Sequence, residues 1–241
     1  MVRTSRFMTV LLLGVLVAGC ATKNADSLAQ NDPYEPTNRK MFAANQSLDK
    51  HFALPVAKFY NHAVPEPARD GIHNFIYNLN LPVTLANDVL QGEAVRAAQT
   101  FGRLAINSTL GIGGVFDVAS TMGIPNHTED FGQTLGVYGS GEGPYLVVPL
   151  LGPAPPRDLA GDVADNFIDP LTYARFSGYY TWMAVRAGVS LVDLRARNID
   201  TVEQIERSSV DYYATQRSLY RQYRNSEIRN GKPDTSDLPN L

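Results

Sequence analysis

The chain has 241 residues, 44% of them hydrophobic and 19% charged, with 21 basic against 24 acidic side chains and a formal net charge of −3. That balance excludes the strongly basic surface of a nucleic-acid-binding protein, and the length fits one sizeable domain. The single cysteine excludes an intrachain disulfide.

Residues 1–19 read as a secretory signal: Arg3 and Arg6 precede an apolar run from Phe7 to Ala18, and Ala18-Gly19 offers small residues for cleavage. The run is far shorter than the roughly 20 residues a membrane-crossing helix needs. Cys20 follows Val17-Ala18-Gly19, which resembles a bacterial lipobox, where the thiol is joined to diacylglycerol before the signal is cut. Two acyl chains hold a protein on a membrane where one is marginal, so Cys20 is expected to be a lipid anchor. Ala21-Thr22 after the cysteine resembles lipoproteins sorted to the periplasmic face of the outer membrane. Without its signal the chain carries 19 basic and 24 acidic residues.

Residues 20–31 read as a small, polar, lipidated tether, followed by a helical domain over residues 32–228 and a disordered polar tail over residues 229–241. Asp32-Pro33-Tyr34-Glu35-Pro36 enforces an extended, turn-like entry, because the residue before a proline avoids helical angles. A first amphipathic helix is expected from Pro36 or Thr37, with Met41, Leu48 and Phe52 on one side and a restart at Pro55. Pro65 and Pro67 are expected to end the next piece, Ile72, Phe75, Ile76 and Leu79 to form a further helix, and Leu81-Pro82 to open another as far as Gly92. Glu93 to Leu110 is a longer helix with a small-residue surface, stopped by Gly111-Ile112-Gly113-Gly114, and Val115 to Ala119 offers one more turn.

Glu129 to Asp158 combines Gly132, Gly136, Gly139, Gly141 and Gly143 with Phe131, Tyr138 and Tyr145, then the apolar run Leu146 to Leu151 interrupted by Pro149. Glycines permit turns and close approaches and aromatics suit a boundary between water and apolar matter. The run can line a core or dip into a membrane face, and is too short to span one. After Pro156 a helix is expected with Leu159, Val163 and Phe167 on one face and Asp158, Asp162, Asp165 and Asp169 on another. Two more helices follow, from Thr181 to Arg197 and from Thr201 through Tyr223, the latter carrying Glu203 and Arg207 at ion-pair spacing. Alternating strand patterns are scarce, so the fold class is all-α.

Candidate chemistry is thin. Tyr138 to Gly143 lacks the lysine and hydroxyl of a phosphate-binding loop, and Ser140 is not in a nucleophile elbow. Ser47 and Lys50 fit an SxxK pattern without its companion motifs, which reads as helix surface. His51, His62 and His73 recur every eleven residues, but Pro55, Pro65, Pro67 and Gly71 interrupt the helix that would align them, and no histidine pair has metal-ligand spacing around a carboxylate, so no metal and no cofactor are expected. His127, beside Glu129 and Asp130, reads as a residue of a solvent-facing loop. The aspartate row reads as a solvated or channel-lining face, with a hard cation as the alternative.

Asp32-Pro33-Tyr34-Glu35-Pro36 with Asn38-Arg39, VPEPARDGIHNFIYNL, LPVTLANDVLQG, INSTLGIGGVFDVAS, EDFGQTLGVYGSGEGPYLVVPLLGP and Arg157-Asp158 occur in order. Together they resemble the MlaA (VacJ) lipoprotein family, closely from Asp32 to Leu171 and more loosely beyond. The resemblance implies a ring-like, all-helical lipoprotein, monotopic in the inner leaflet of the outer membrane, with a central amphipathic channel. It also implies removal of phospholipid from the outer leaflet, delivery to a soluble periplasmic lipid carrier, association with an outer-membrane porin trimer, and no catalysis. The motif residues it marks for the channel region are Asn38, Arg39, Gly113, Gly114, Phe131, Gly132, Gly136, Tyr138, Gly143, Pro144, Arg157 and Asp158. The rivals are a lipid-modifying enzyme, an acyltransferase or phospholipase, and a structural envelope tether that would bind through a long helix from Val202 to Tyr223.

Overall fold

The computed structural model describes residues 21–232. The expected signal, the anchor Cys20 and residues 233–241 of the expected tail lie outside the described residues. Helices α1 (Ala25–Ala29), α2 (Glu35–Leu48), α3 (Leu54–Ala63), α4 (Glu66–Leu90), α5 (Ala94–Thr109) and α6 (Val118–Thr121) form the first half. Then come α7 (Phe131–Val137), α8 (Pro156–Ile168), α9 (Tyr179–Arg197), α10 (Ile199–Ser208) and α11 (Tyr212–Ile228). The fold is all-α. Among the described residues the only strands are β1 (Val147–Val148) and β2 (Gly152–Pro153), an antiparallel pair with Val147 opposite Pro153. No helix among the described residues is long and apolar enough to cross a membrane.

Local sequence explains most boundaries, and its failures are instructive. Pro55 does restart a helix, but a π-helical turn over Asp49–Ala53 joins α2 to α3. The two short helices expected on either side of Leu81-Pro82 are one 25-residue helix, α4, with Pro82 inside it. Pro82 removes the N–H that would bond the Asn78 carbonyl, yet α4 packs along its length on α5, α7, α8 and α9, and tertiary contact overrides the local penalty. The turn expected at Val115 to Ala119 forms later, as α6, because Asp117 accepts from the Ser120 N–H and caps it there. The helix expected to run from Thr201 through Tyr223 is broken between α10 and α11, where Asp211 caps α11 and also binds Arg39. The tether segment holds the helical turn α1, and the Asn31 side chain donates to the Gly143 carbonyl at 2.7 Å.

The glycine-rich stretch, expected as turns, contains α7, capped by Asp130 accepting from the Gln133 N–H at 2.8 Å. Its glycine serves packing: a Cβ on Gly161 of α8 would lie 2.3 Å from the Gly132 nitrogen of α7, so the two backbones touch.

Burial is inverted relative to an ordinary globular protein. Nineteen polar or charged residues are buried among the described residues against eight apolar ones, while Phe59, Val95, Phe101, Ile112 and Leu150 are among the large apolar side chains left exposed. Helix α5 shows how: Thr100, Arg103 and Asn107 face inward and Val95 and Phe101 outward. On α8 Val163 and Phe167 are likewise exposed and Asp158 is buried, while Asp162 of the expected acidic face is exposed. Outward apolar helix faces with backbone bonds satisfied within the helix are what contact with lipid requires.

The helices close into a circuit. Helix α9 packs on α3 and α4, α4 on α7 and α8, α7 on α11, and α11 returns through α10 to α9. Helix α11 also clasps the N-terminal segment and the Glu129 to Asp158 stretch: Arg217 binds Asp32 at 2.6 Å, Arg221 binds Glu142 at 2.8 Å, and Arg224 binds Asp130 at 2.6 Å and Asp158 at 2.9 Å.

Candidate functional site

An apolar groove of about 700 Å³ opens between α4, the Val115-Phe116 turn and α9. Ile72, Phe75, Ile76, Trp182, Val185 and Val189 line it, because the apolar stripe of α4 faces the apolar side of α9. Phe75 and Trp182 meet edge to face at 6.4 Å. Arg186 is the charged residue of its wall. The guanidinium donates to Asp169 Oδ2 at 3.0 Å and to Asn80 Oδ1 at 2.6 Å.

Asn80 and Asp169 belong to the next cavity, an acid-lined cleft of about 300 Å³ that also meets Thr84, Glu129, Asp130 and Asp165. Thr128 and Glu129 are shared with a third cleft, of about 350 Å³, which Arg96, His127 and Glu227 also line. Apolar groove, Arg186 and two polar clefts thus follow one another across the molecule.

The aspartate row divides its labour. Asp158 accepts from Arg157 and Arg224, both at 2.9 Å, and although burial opposes it these bonds hold its pKa below the ordinary carboxylate value. Asp169 pairs with Arg186 and caps the following 3-10 turn through the Leu171 N–H. Asp165 accepts from Asn87 at 2.9 Å and from the Phe131 N–H at 3.0 Å, and burial still pushes its pKa up. Burial and then the neighbouring Asp130 and Asp165 raise that of Asp162. Two members are committed to arginines, so the row does not act as one open cage of carboxylates.

The motif residues prop the walls. None is among the residues that line the groove or the acid-lined cleft. Buried Asn38 donates to Asp32 at 2.8 Å and to the Tyr145 carbonyl at 2.9 Å, and accepts from the Val147 N–H at 3.0 Å. Arg39 binds Glu35 and takes Asp211 with both terminal nitrogens. Gly113 and Gly114 both have positive φ, and a Cβ on Gly114 would fall 2.4 Å from Asn78 Cβ. Phe131 and Gly132 start α7 with Gly132 against Asp158, which Arg157 binds, Gly136 sits under Ile228, and Gly143 packs on Pro156 next to half-buried Pro144. The Tyr138 hydroxyl donates to the Leu90 carbonyl at 2.5 Å.

Two histidines have carboxylate partners that sequence spacing did not reveal. His73 lies 2.8 Å from Asp193. His127, expected in a solvent-facing loop, is instead largely buried, its Nε2 3.0 Å from Asp88 and 3.2 Å from the Thr100 hydroxyl. These partners are 120 and 39 residues away in sequence, which no local pattern reports. The arrangement is not a nucleophilic relay: one ring nitrogen faces both partners, the Thr100 hydroxyl donates to Asp88 at 2.6 Å, and Thr100 is buried. Ser47 and Lys50 are helix surface, with Lys50 paired to Glu206 at 2.6 Å.

Comparison with known proteins gives one family. The profile described as MlaA lipoprotein matches residues 30–227. The Haemophilus influenzae intermembrane phospholipid transport system lipoprotein MlaA is 34% identical over 236 residues, covering 95% of this chain and 93% of that one. The Escherichia coli protein of the same name is 36% identical over 241 residues, with 97% and 93% covered. A solved structure described as the structural basis for maintenance of bacterial outer membrane lipid asymmetry superposes with a TM-score of 0.74 at 37% identity, covering 82% of this chain and 98% of that chain.

Proposed function

The chain belongs to the MlaA lipoprotein family, and from that premise we propose that it removes mislocalised phospholipid from the outer leaflet of the outer membrane and passes it to a soluble periplasmic carrier. It works as a lipid-anchored transport protein of the envelope, held through acylated Cys20 in the periplasm-facing leaflet, associated with a porin trimer, and it makes and breaks no bond in the lipid. The observation that carries this is that Arg186, in the wall of the apolar groove, bonds Asp169 and Asn80 of the neighbouring acid-lined cleft. Acyl chains require an apolar wall and a zwitterionic or anionic headgroup a polar one, and a path offering both in sequence lowers the cost of moving a headgroup past hydrocarbon. Arg186 is placed to exchange Asp169 for a lipid phosphate, since guanidinium binds either anion in the same planar geometry. The exposed apolar faces of α5 and of the β1–β2 hairpin tip at Leu150 and Leu151 supply the membrane contact. The helix and glycine turn from Glu93 to Ala119, with the Glu129 to Asp158 stretch, form part of the channel wall.

The test is chemical labelling of surface-exposed phospholipid in cells with and without the protein. Deletion is expected to raise the label, the wild-type chain to restore it, and Arg186→Asp to fail although the protein accumulates. Unchanged label on deletion would overturn the function. Cys20→Ser is expected to leave a precursor at the inner membrane, cysteine pairs crosslinked across Glu93 to Ala119 and the facing stretch to stop transport, and product analysis to recover intact phospholipid. Recovery of lysolipid would point to the enzyme instead.

A further inference from the structure

We propose that Asp88, His127 and Glu129 form a binding site for one divalent transition-metal ion of the zinc class, at the wall that the acid-lined cleft shares with the third cleft. Each offers one ligand atom, and the three atoms lie within 4.8 Å of one another. Bonds from zinc to nitrogen or oxygen are about 2.0–2.2 Å, so donors around one ion sit roughly 3–3.5 Å apart, and His127 Nε2 is 3.0 Å from Asp88 Oδ1. One imidazole and two carboxylates suit zinc better than calcium or magnesium, which take oxygen. The cleft lined by Arg96, His127, Glu129 and Glu227 gives the ion a way in and leaves room for a water to complete four-coordination.

The charges around the site favour this. Asp88 and Glu129 are buried carboxylates, and Arg96 is the cation between them. Its hold is uneven: it bonds Glu129 closely, stands 3.7 Å from Asp88, and leaves its Nε buried without a hydrogen-bond partner. A divalent ion cancels both carboxylates at once, and Arg96 then turns into the cleft toward Glu227, which lines the same wall. The carboxylates are already aimed, since Thr100 donates to Asp88 Oδ2 at 2.6 Å and Gln91 donates to Glu129 Oε2 at 2.8 Å. Such outer hydrogen bonds orient ligands for a metal. The bound ion would pin the chain ahead of α7 to the C-terminal end of α4.

The experiment titrates Zn²⁺ by calorimetry into the full chain, purified in detergent and stripped with chelator. One ion per chain is expected, together with a higher unfolding midpoint and, on substitution with Co²⁺, the visible absorption of a four-coordinate site. His127→Gln and Glu129→Gln should each weaken binding at least about tenfold and Thr100→Val about tenfold, while Arg96→Gln should tighten it by removing the competing cation. Circular dichroism establishes that each variant is folded. No heat and no cobalt band in the wild type would overturn the proposal, and so would equal affinity in folded His127→Gln, which would place the ion elsewhere.

Discussion

The clasp made by α11 and the cleft beneath α8 are both rich in buried charge, yet they are built in opposite ways. In the clasp, Arg217 and Arg224 each reach carboxylates with geometry that closes: Asp32 also takes the Tyr213 hydroxyl and an Asn38 N–H, and Asp158 also takes Tyr220. Burial and the bond to Asp32 raise the pKa of Tyr213, and burial and the bond to Asp158 that of Tyr220, so both phenols stay neutral donors. Asp165 lines the cleft and Asp162 precedes it on α8, and burial, with neighbouring Asp130 adding to it, raises the pKa of both. The difference teaches that charge is matched pair by pair where the chain must stay shut, and left in acidic surplus where a cavity opens.

The comparison breaks most visibly if one partner of the clasp is removed. Asp32→Ala strands Arg217 in a buried site, and loss of one partner of a buried ion pair costs about 3–5 kcal/mol. Denaturant unfolding in detergent is expected to show that loss, and a change below about 1 kcal/mol would mean the clasp is no more than a surface pair. Gly161→Ala comes next. Its methyl meets the backbone of α7 rather than a yielding side chain, so overpacking is expected to cost about 1–3 kcal/mol, read as a lowered midpoint with α8 still helical.

Acid titration probes a third closed cluster. Burial works against ionised Asp117, but hydrogen bonds from Ser120, Arg103 and Asn107 hold its pKa at about 2 against an ordinary 3.8. A depressed carboxylate contributes stability above its unfolded pKa and loses it as pH falls through the folded one. Up to about 2 kcal/mol is therefore expected to disappear between about pH 4 and about pH 2, and Asp117→Asn to flatten that window. The open cleft gives the smallest effect with the opposite sign. The raised pKa of Asp162 makes its ionised form costly as pH rises, so Asp162→Asn is expected to stabilise the protein at pH 7 and not at pH 3. The gain should stay below about 1 kcal/mol because the side chain meets water, and a loss at pH 7 would show that α8 needs this charge to fold.

Much was legible before any coordinates. Prolines marked the ends of α3 and the start of α8, glycines marked the end of α5, and the Glu203–Arg207 pair forms at 2.8 Å as its spacing implied. The misses share a cause. Pro82 and Gly132 look like breakers locally, and each lies in a helix whose neighbours compensate. Arg186, the hinge of the candidate site, looks like any exposed arginine of an amphipathic helix; only a distant Asn80 and Asp169 give it a role.

By itself the sequence determined the class, the helices α5, α8 and α9 and the family, because periodicity, breakers and ordered motifs are properties of neighbouring residues. Which face of each helix turns inward was decided only by the tertiary structure. A 3.6-residue period reports that two faces differ, and whether water or lipid lies outside sets which of them is buried. The joining of groove to cleft, and of Asp88 to His127 and Glu129, was decided there too, since side chains dozens of residues apart acquire a common chemistry only when the chain has closed around them.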